Sequence, residues 1–96
     1  MKIEFTKNEE TLNISLDGRL DTVTAPELEK IIGENYDGKA KIVIDCENLL
    51  YISSAGLRVL LSAQKKTKGN MKLIKVQELV MEVLEMTGFA DILVIE

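Results

Sequence analysis

Two adjacent serines, Ser53 and Ser54, precede Ala55-Gly56-Leu57-Arg58-Val59-Leu60-Leu61, a segment with helical apolar spacing. The first turn of a helix leaves backbone N–H groups unpaired and carries about half a positive charge. A serine there can cap the helix, or it can carry a phosphate. One hydroxyl suffices for a cap, and two are present. The positions three residues on are Gly56 and Leu57, so neither serine forms a capping box. Gly56 in a first turn costs about 1 kcal/mol of helix propensity, which predicts room for a close approach by a partner. A phosphate would add roughly −1.5 to −2 charge. The host helix would tolerate that charge, whereas a partner surface shaped for a neutral hydroxyl would not. Nucleophilic catalysis is the weaker use of these serines: the chain has no histidine, the usual base that activates a serine.

The remaining reactive side chains have plainer readings. Asp21, Asp45 and Glu47 are scattered acids, expected to be solvated or capping. Cys46 closes an apolar run and reads as a small core residue, while Met71, Met81 and Met86 read as core filler. One cysteine and no histidine cannot assemble a zinc site, and no cofactor is implied. A net charge of −4 argues against nucleic acid as a partner. The lysines Lys65, Lys66 and Lys68 fall at a helix end, where they complement the dipole. No apolar stretch approaches the roughly 20 residues of a membrane span, and no signal-peptide core is visible, so the cytoplasm is the expected compartment.

These residues need a frame. Ile3 and Phe5, then Leu12, Ile14 and Leu16, alternate with polar residues and predict an antiparallel hairpin around Lys7-Asn8-Glu9-Glu10. Thr22 or Thr24 can cap a helix with Pro26 in its first turn and the stripe Leu28, Ile31, Ile32, running to about Tyr36. Lys41–Cys46 is a continuous β-branched run, expected to be a central strand buried on both faces. Glu47–Ile52 reads as a connecting loop of unusual apolar weight. After the serines, a second helix should end at Lys68-Gly69-Asn70. Met71–Val76 reads as a strand, and Leu79, Val80, Val83, Leu84 and Met86 as a helix stopped by Gly88. Ile92–Ile95 reads as a last strand or an apolar tail. The order β-β-α-β-α-β-α-β predicts an α/β fold with a mixed sheet of about four to five strands, its helices mainly on one side.

Gly18-Arg19-Leu20-Asp21, with Ala25 and Leu28 after it, resembles the first signature of STAS domains. Ile42-Val43-Ile44-Asp45 through Ile52-Ser53-Ser54-Ala55-Gly56-Leu57-Arg58-Val59-Leu60 resembles the second. The chain is similar over nearly all its 96 residues to the anti-sigma factor antagonists, also called anti-anti-sigma factors, as one STAS domain spanning 1–96. The resemblance implies a binding protein, not an enzyme. The unphosphorylated form would bind an anti-sigma factor that is a serine kinase and so free the sigma factor. Phosphorylation would break that complex, and a serine phosphatase would reset it. The acceptor serine stands two residues before the motif glycine, which makes it Ser54. Many members have aspartate before that serine; Ser53 is here instead, and it is a second candidate acceptor. The resemblance also implies a partner surface built from Asp21, Thr22, Ser53, Gly56, Leu57 and Arg58. The alternative role within this resemblance is an accessory subunit that binds the ATPase of a membrane transporter.

Overall fold

A computed structural model describes all residues, Met1–Glu96. Strands β1 (Lys2–Lys7) and β2 (Thr11–Leu20) form the expected antiparallel hairpin. Its turn is held by the Asn8 side chain, whose Oδ1 accepts from the N–H groups of Glu10 at 2.9 Å and Thr11 at 2.8 Å. Helix α1 (Ala25–Asn35) leads to β3 (Lys41–Ile52), α2 (Ser54–Lys66), β4 (Met71–Ile74) and α3 (Glu78–Met86). The sheet order is β1-β2-β3-β4, with β2, β3 and β4 parallel.

Register explains the core. Leu12, Ile42 and Met71 lie side by side, and so do Ile14, Ile44 and Leu73. All six are buried on one face, where the inner faces of the helices (Leu28 and Ile32, Leu57 and Leu60, Val80 and Leu84) join them in one apolar cluster. The other face carries Asn13, Ser15, Val43, Asp45 and Lys72, and stays partly open to solvent. Helices on one side of a mixed sheet are what the sequence predicts.

Several expectations are corrected. β3 is not buried on both faces: Lys41, Val43 and Asp45 are half-exposed, alternating with buried Ile42, Ile44 and Cys46. Its β-branched residues satisfy strand geometry, not two-sided burial. Glu47–Ile52 is no loop but the continuation of β3, paired with β2 as far as Leu20 opposite Ile52. Register shifts between Ser15 and Asp17 and between Gly18 and Arg19 break the alternation that would have revealed it. Gly18 takes φ +113° at this irregularity, a conformation costly for any side chain.

The Ile92–Ile95 strand is reduced to a single parallel bridge between Leu73 and Ile95. It follows a short 3-10 turn at Phe89–Asp91. Leu73 N–H donates to Val94 O and Glu96 N–H to Leu73 O, both at 2.9 Å, so this segment covers the outer edge of β4. On α3 only Val80 and Leu84 are buried. Leu79 and Met86 are 69% and 87% exposed, so Met86 is not core filler. α2 ends at Lys66 with Lys65 and Lys66 in its last turn, and Gly69, at φ +87°, donates back to Gln64 O at 2.9 Å.

Candidate functional site

The carboxyl ends of β2 and β3 meet at one end of the sheet, where α1 and α2 begin. Ser53 N–H donates to Leu20 O at 2.9 Å, which ties the start of α2 to the end of β2. Asp21, Thr22 and the serine pair are thereby brought to one end of the molecule.

The turn into α1 is densely bonded. Asp21 Oδ1 accepts from Val23 N–H at 3.0 Å and Thr24 N–H at 3.1 Å. Thr24 Oγ1 accepts from Asp21 N–H at 2.9 Å and donates to Arg19 O at 2.6 Å. The threonine therefore does not cap the first-turn N–H groups, as expected from sequence, but locks the turn ahead of them. Donation from Thr24 N–H leads the effects that hold the Asp21 carboxyl below the usual carboxylate range; Val23 N–H, the Thr24 hydroxyl and Arg19, 3.8 Å away, add to it. The Arg19 guanidinium also lies 4.1 Å from the centroid of the Tyr51 ring.

The start of α2 is the opposite. Ser53 is the N-cap residue in extended conformation (φ −102°, ψ 176°), yet its side chain makes no cap bond. Its Oγ is sealed from solvent without any hydrogen-bond partner. Ser54 is the first helical residue and is exposed, and no acidic side chain occupies the first turn. Arg58, one turn on and also exposed, donates from Nε to Ser54 O at 3.4 Å.

Gly56 and Leu57 are buried and turned inward. A Cβ on Gly56 would stand 2.8 Å from Leu20 Cγ, 2.9 Å from Leu20 O and 3.0 Å from Ile52 Cγ1. The glycine accommodates the protein's own β2 and β3, not a partner, which corrects the reason given for it from sequence. Of the six expected partner-contact residues, Thr22 and Arg58 are exposed, Asp21 and Ser53 half-buried, and Gly56 and Leu57 buried, which takes the last two out of any contact surface; the expected acceptor Ser54 is exposed.

Cys46 is buried, its thiol pushed up to about 12 by desolvation and, less, by Asp45. Asp45 and Glu47 pair with Lys75 at 3.9 Å and 3.5 Å, so these acids form a surface ion cluster. No cluster of His, Cys, Asp or Glu could hold a metal ion. No helix is long and apolar enough to cross a membrane.

Sequence reasoning gave no role to Arg19, or to the exposed apolar residues Val23 (80%), Leu50 (66%) and Tyr51 (39%) at this end. The apolar weight of Glu47–Ile52 is the sequence signal for Leu50 and Tyr51.

The sequence pattern of the STAS domain matches residues 2–96. The chain is 35% identical over 96 residues to BtrV of Bordetella bronchiseptica, named as an anti-sigma factor antagonist, covering 96% of this chain and 83% of that protein. It is 29% identical over 97 residues to the anti-sigma-B factor antagonist of Staphylococcus aureus, covering 97% and 90%. Among solved structures, the anti-sigma factor antagonist SpoIIAA in its unphosphorylated form superimposes with a TM-score of 0.75 at 18% identity, covering 99% of this chain and 87% of that one. The phosphorylated form of the Bacillus protein gives 0.74 at 18% identity, covering 99% and 91%.

Proposed function

The chain belongs to the STAS domain family, and on that premise we propose that it is an anti-sigma factor antagonist switched by phosphorylation of Ser54. In the unphosphorylated state it binds an anti-sigma factor that is a serine kinase, and the sigma factor is released. The kinase transfers phosphate to Ser54, the complex separates, and a serine phosphatase restores the binding form. The protein is a cytoplasmic binding module and not itself an enzyme.

The observation that carries this reading is the exposed residue Ser54 at a helix start that lacks both an acid and a side-chain cap. Unspent N–H groups and the helix dipole make that position tolerant of added negative charge. Ser53 fits the acceptor role poorly, because a kinase cannot reach an oxygen sealed beneath the surface. Apolar Val23, Leu50 and Tyr51 at the same end supply surface for a partner to bury. The side chain that reaches toward Ser54 is Arg58, which cannot accept a proton, so the serine has no activating base there. A relative of known structure exists in phosphorylated and unphosphorylated forms that this fold matches about equally well, which suits a switch acting at the surface.

The test is to incubate the protein with its anti-sigma factor kinase and ATP and weigh the product. One phosphate is expected on the wild type and on Ser53→Ala, and none on Ser54→Ala. Full phosphorylation of Ser54→Ala would sink the assignment.

A further inference from the structure

We propose that Arg58 is the internal receptor for the phosphate on Ser54, so that modification occupies a guanidinium that otherwise stands unpaired between the start of α2 and the groove between α1 and α2. The proposal rests on the reading of Ser54 as the acceptor and adds what the phosphate does once attached.

Arg58 follows Ser54 by one helical turn, and its Nε already donates to Ser54 O at 3.4 Å. The side chain therefore runs back toward the helix start, as long side chains on a helix do. Its charge is unspent: none of the ion pairs in the protein includes Arg58. The neighbouring cation Arg19 is engaged by Tyr51 and Asp21. Arg58 also helps to wall an open groove of about 410 Å³ between α1 and α2, with Thr22, Pro26, Glu29 and Ser62 on the rim. Glu29 shares that groove without coming within ion-pair distance of Arg58.

A phosphate at the first helical residue offers three acceptor oxygens, and a guanidinium four residues on can meet two of them at once. Anion before cation at this spacing is the orientation that also suits the helix dipole. The sealed, unpartnered Ser53 Oγ marks the same corner as short of polar partners before modification. Phosphorylation thus makes two changes at the surface. It adds negative charge at Ser54, and it occupies a positive group that is otherwise unpaired on the groove wall. A partner that reads Arg58 in the unmodified protein loses that contact as well.

The test needs no kinase. Phosphoserine is placed at position 54 by codon suppression in the wild type, Arg58→Gln and Arg58→Lys, with circular dichroism to establish that each is folded. The second ionisation of the phosphate is then followed by phosphorus NMR against pH. The midpoint is expected about three-quarters of a pH unit lower in the wild type than in Arg58→Gln, the shift that a unit charge roughly 4 Å away produces in water-like surroundings. Arg58→Lys should fall between, and the difference should shrink in 1 M salt, as screening of an exposed pair requires. Equal midpoints in the wild type and Arg58→Gln overturn the proposal. Failure of the kinase assay on Ser54 is a separate result, which would remove the reading on which the proposal rests without altering these titrations.

Discussion

The two helices that begin at the carboxyl end of the sheet are built to different standards. α1 enters through a turn in which the side chains of Asp21 and Thr24 make four hydrogen bonds, with Pro26 and Glu27 in its first turn. α2 enters with no side-chain cap, no acid and one sealed hydroxyl that bonds to nothing. What fixes α2 is close packing: Gly56 presses against Leu20 and Ile52, and Leu57, Val59 and Leu60 fill the core. One start is made rigid by polar bonds. The other is held from beneath, which leaves its polar end free for added charge. Charge added at the second kind of start displaces no side-chain bond that holds the helix.

The contrast predicts that disturbing the packing under α2 is the most damaging single change. Gly56→Ala places a methyl group against a backbone oxygen and two core side chains. Overpacking of this kind costs about 1–3 kcal/mol, and the gain in helix propensity returns at most about 1. A net loss of about 2 kcal/mol is expected in urea denaturation. Gly33→Ala in α1 is the control, since a Cβ there meets nothing within 4 Å and should gain about 0.5–1 kcal/mol. If both substitutions stabilise, packing does not hold the start of α2.

Next in size is the polar turn into α1. Thr24→Ala removes the bond to Arg19 O and the acceptor for Asp21 N–H, and should cost about 1 kcal/mol. Asp21→Asn keeps an acceptor oxygen but removes the charge, which isolates the pH-dependent part. The Asp21 carboxyl is held below the usual range by Thr24 and Val23 N–H groups. Its contribution is therefore complete above the ordinary carboxylate pKa and lost as pH falls through the lowered native value. Thermal melts of the wild type and Asp21→Asn should differ at neutral pH and converge only in strong acid. Convergence already near neutral pH would show that the charge plays no part.

How far the sequence reached follows from the range of each interaction. The hairpin, α1 and α2 are legible because their periodicities are local: Leu12, Ile14 and Leu16 on a strand, Leu28 and Ile32 on a helix. The extension of β3 to Ile52 is not, since its register shifts scatter the exposed residues Glu47, Asn48, Leu50 and Tyr51 along the strand. The reason for Gly56 is equally hidden, because Leu20 meets it only after β2 and β3 pair. On α3, Leu79 and Met86 belong to a helical stripe wider than the surface available to bury it. The place of Ser54 at the start of α2 is legible from the helical spacing that follows it, whereas the sealing of Ser53 Oγ is a consequence of tertiary packing that no local pattern encodes.

The smallest effect is the sharpest test of the contrast. A serine at the N-cap normally contributes, and its loss to alanine costs about 1 kcal/mol. Here the hydroxyl has lost water and gained nothing, and a buried polar group without a partner is a net cost. Ser53→Ala removes that cost together with the oxygen. Stability should be unchanged or should rise by at most about 1 kcal/mol, opposite in sign to Thr24→Ala at the neighbouring helix. The same variant should still take one phosphate at Ser54, because the backbone of residue 53, through its N–H to Leu20 O, is what seats the helix. A loss of about 1 kcal/mol in Ser53→Ala would mean that Oγ caps α2 after all, and the two helix starts would then differ only in the number of their polar bonds.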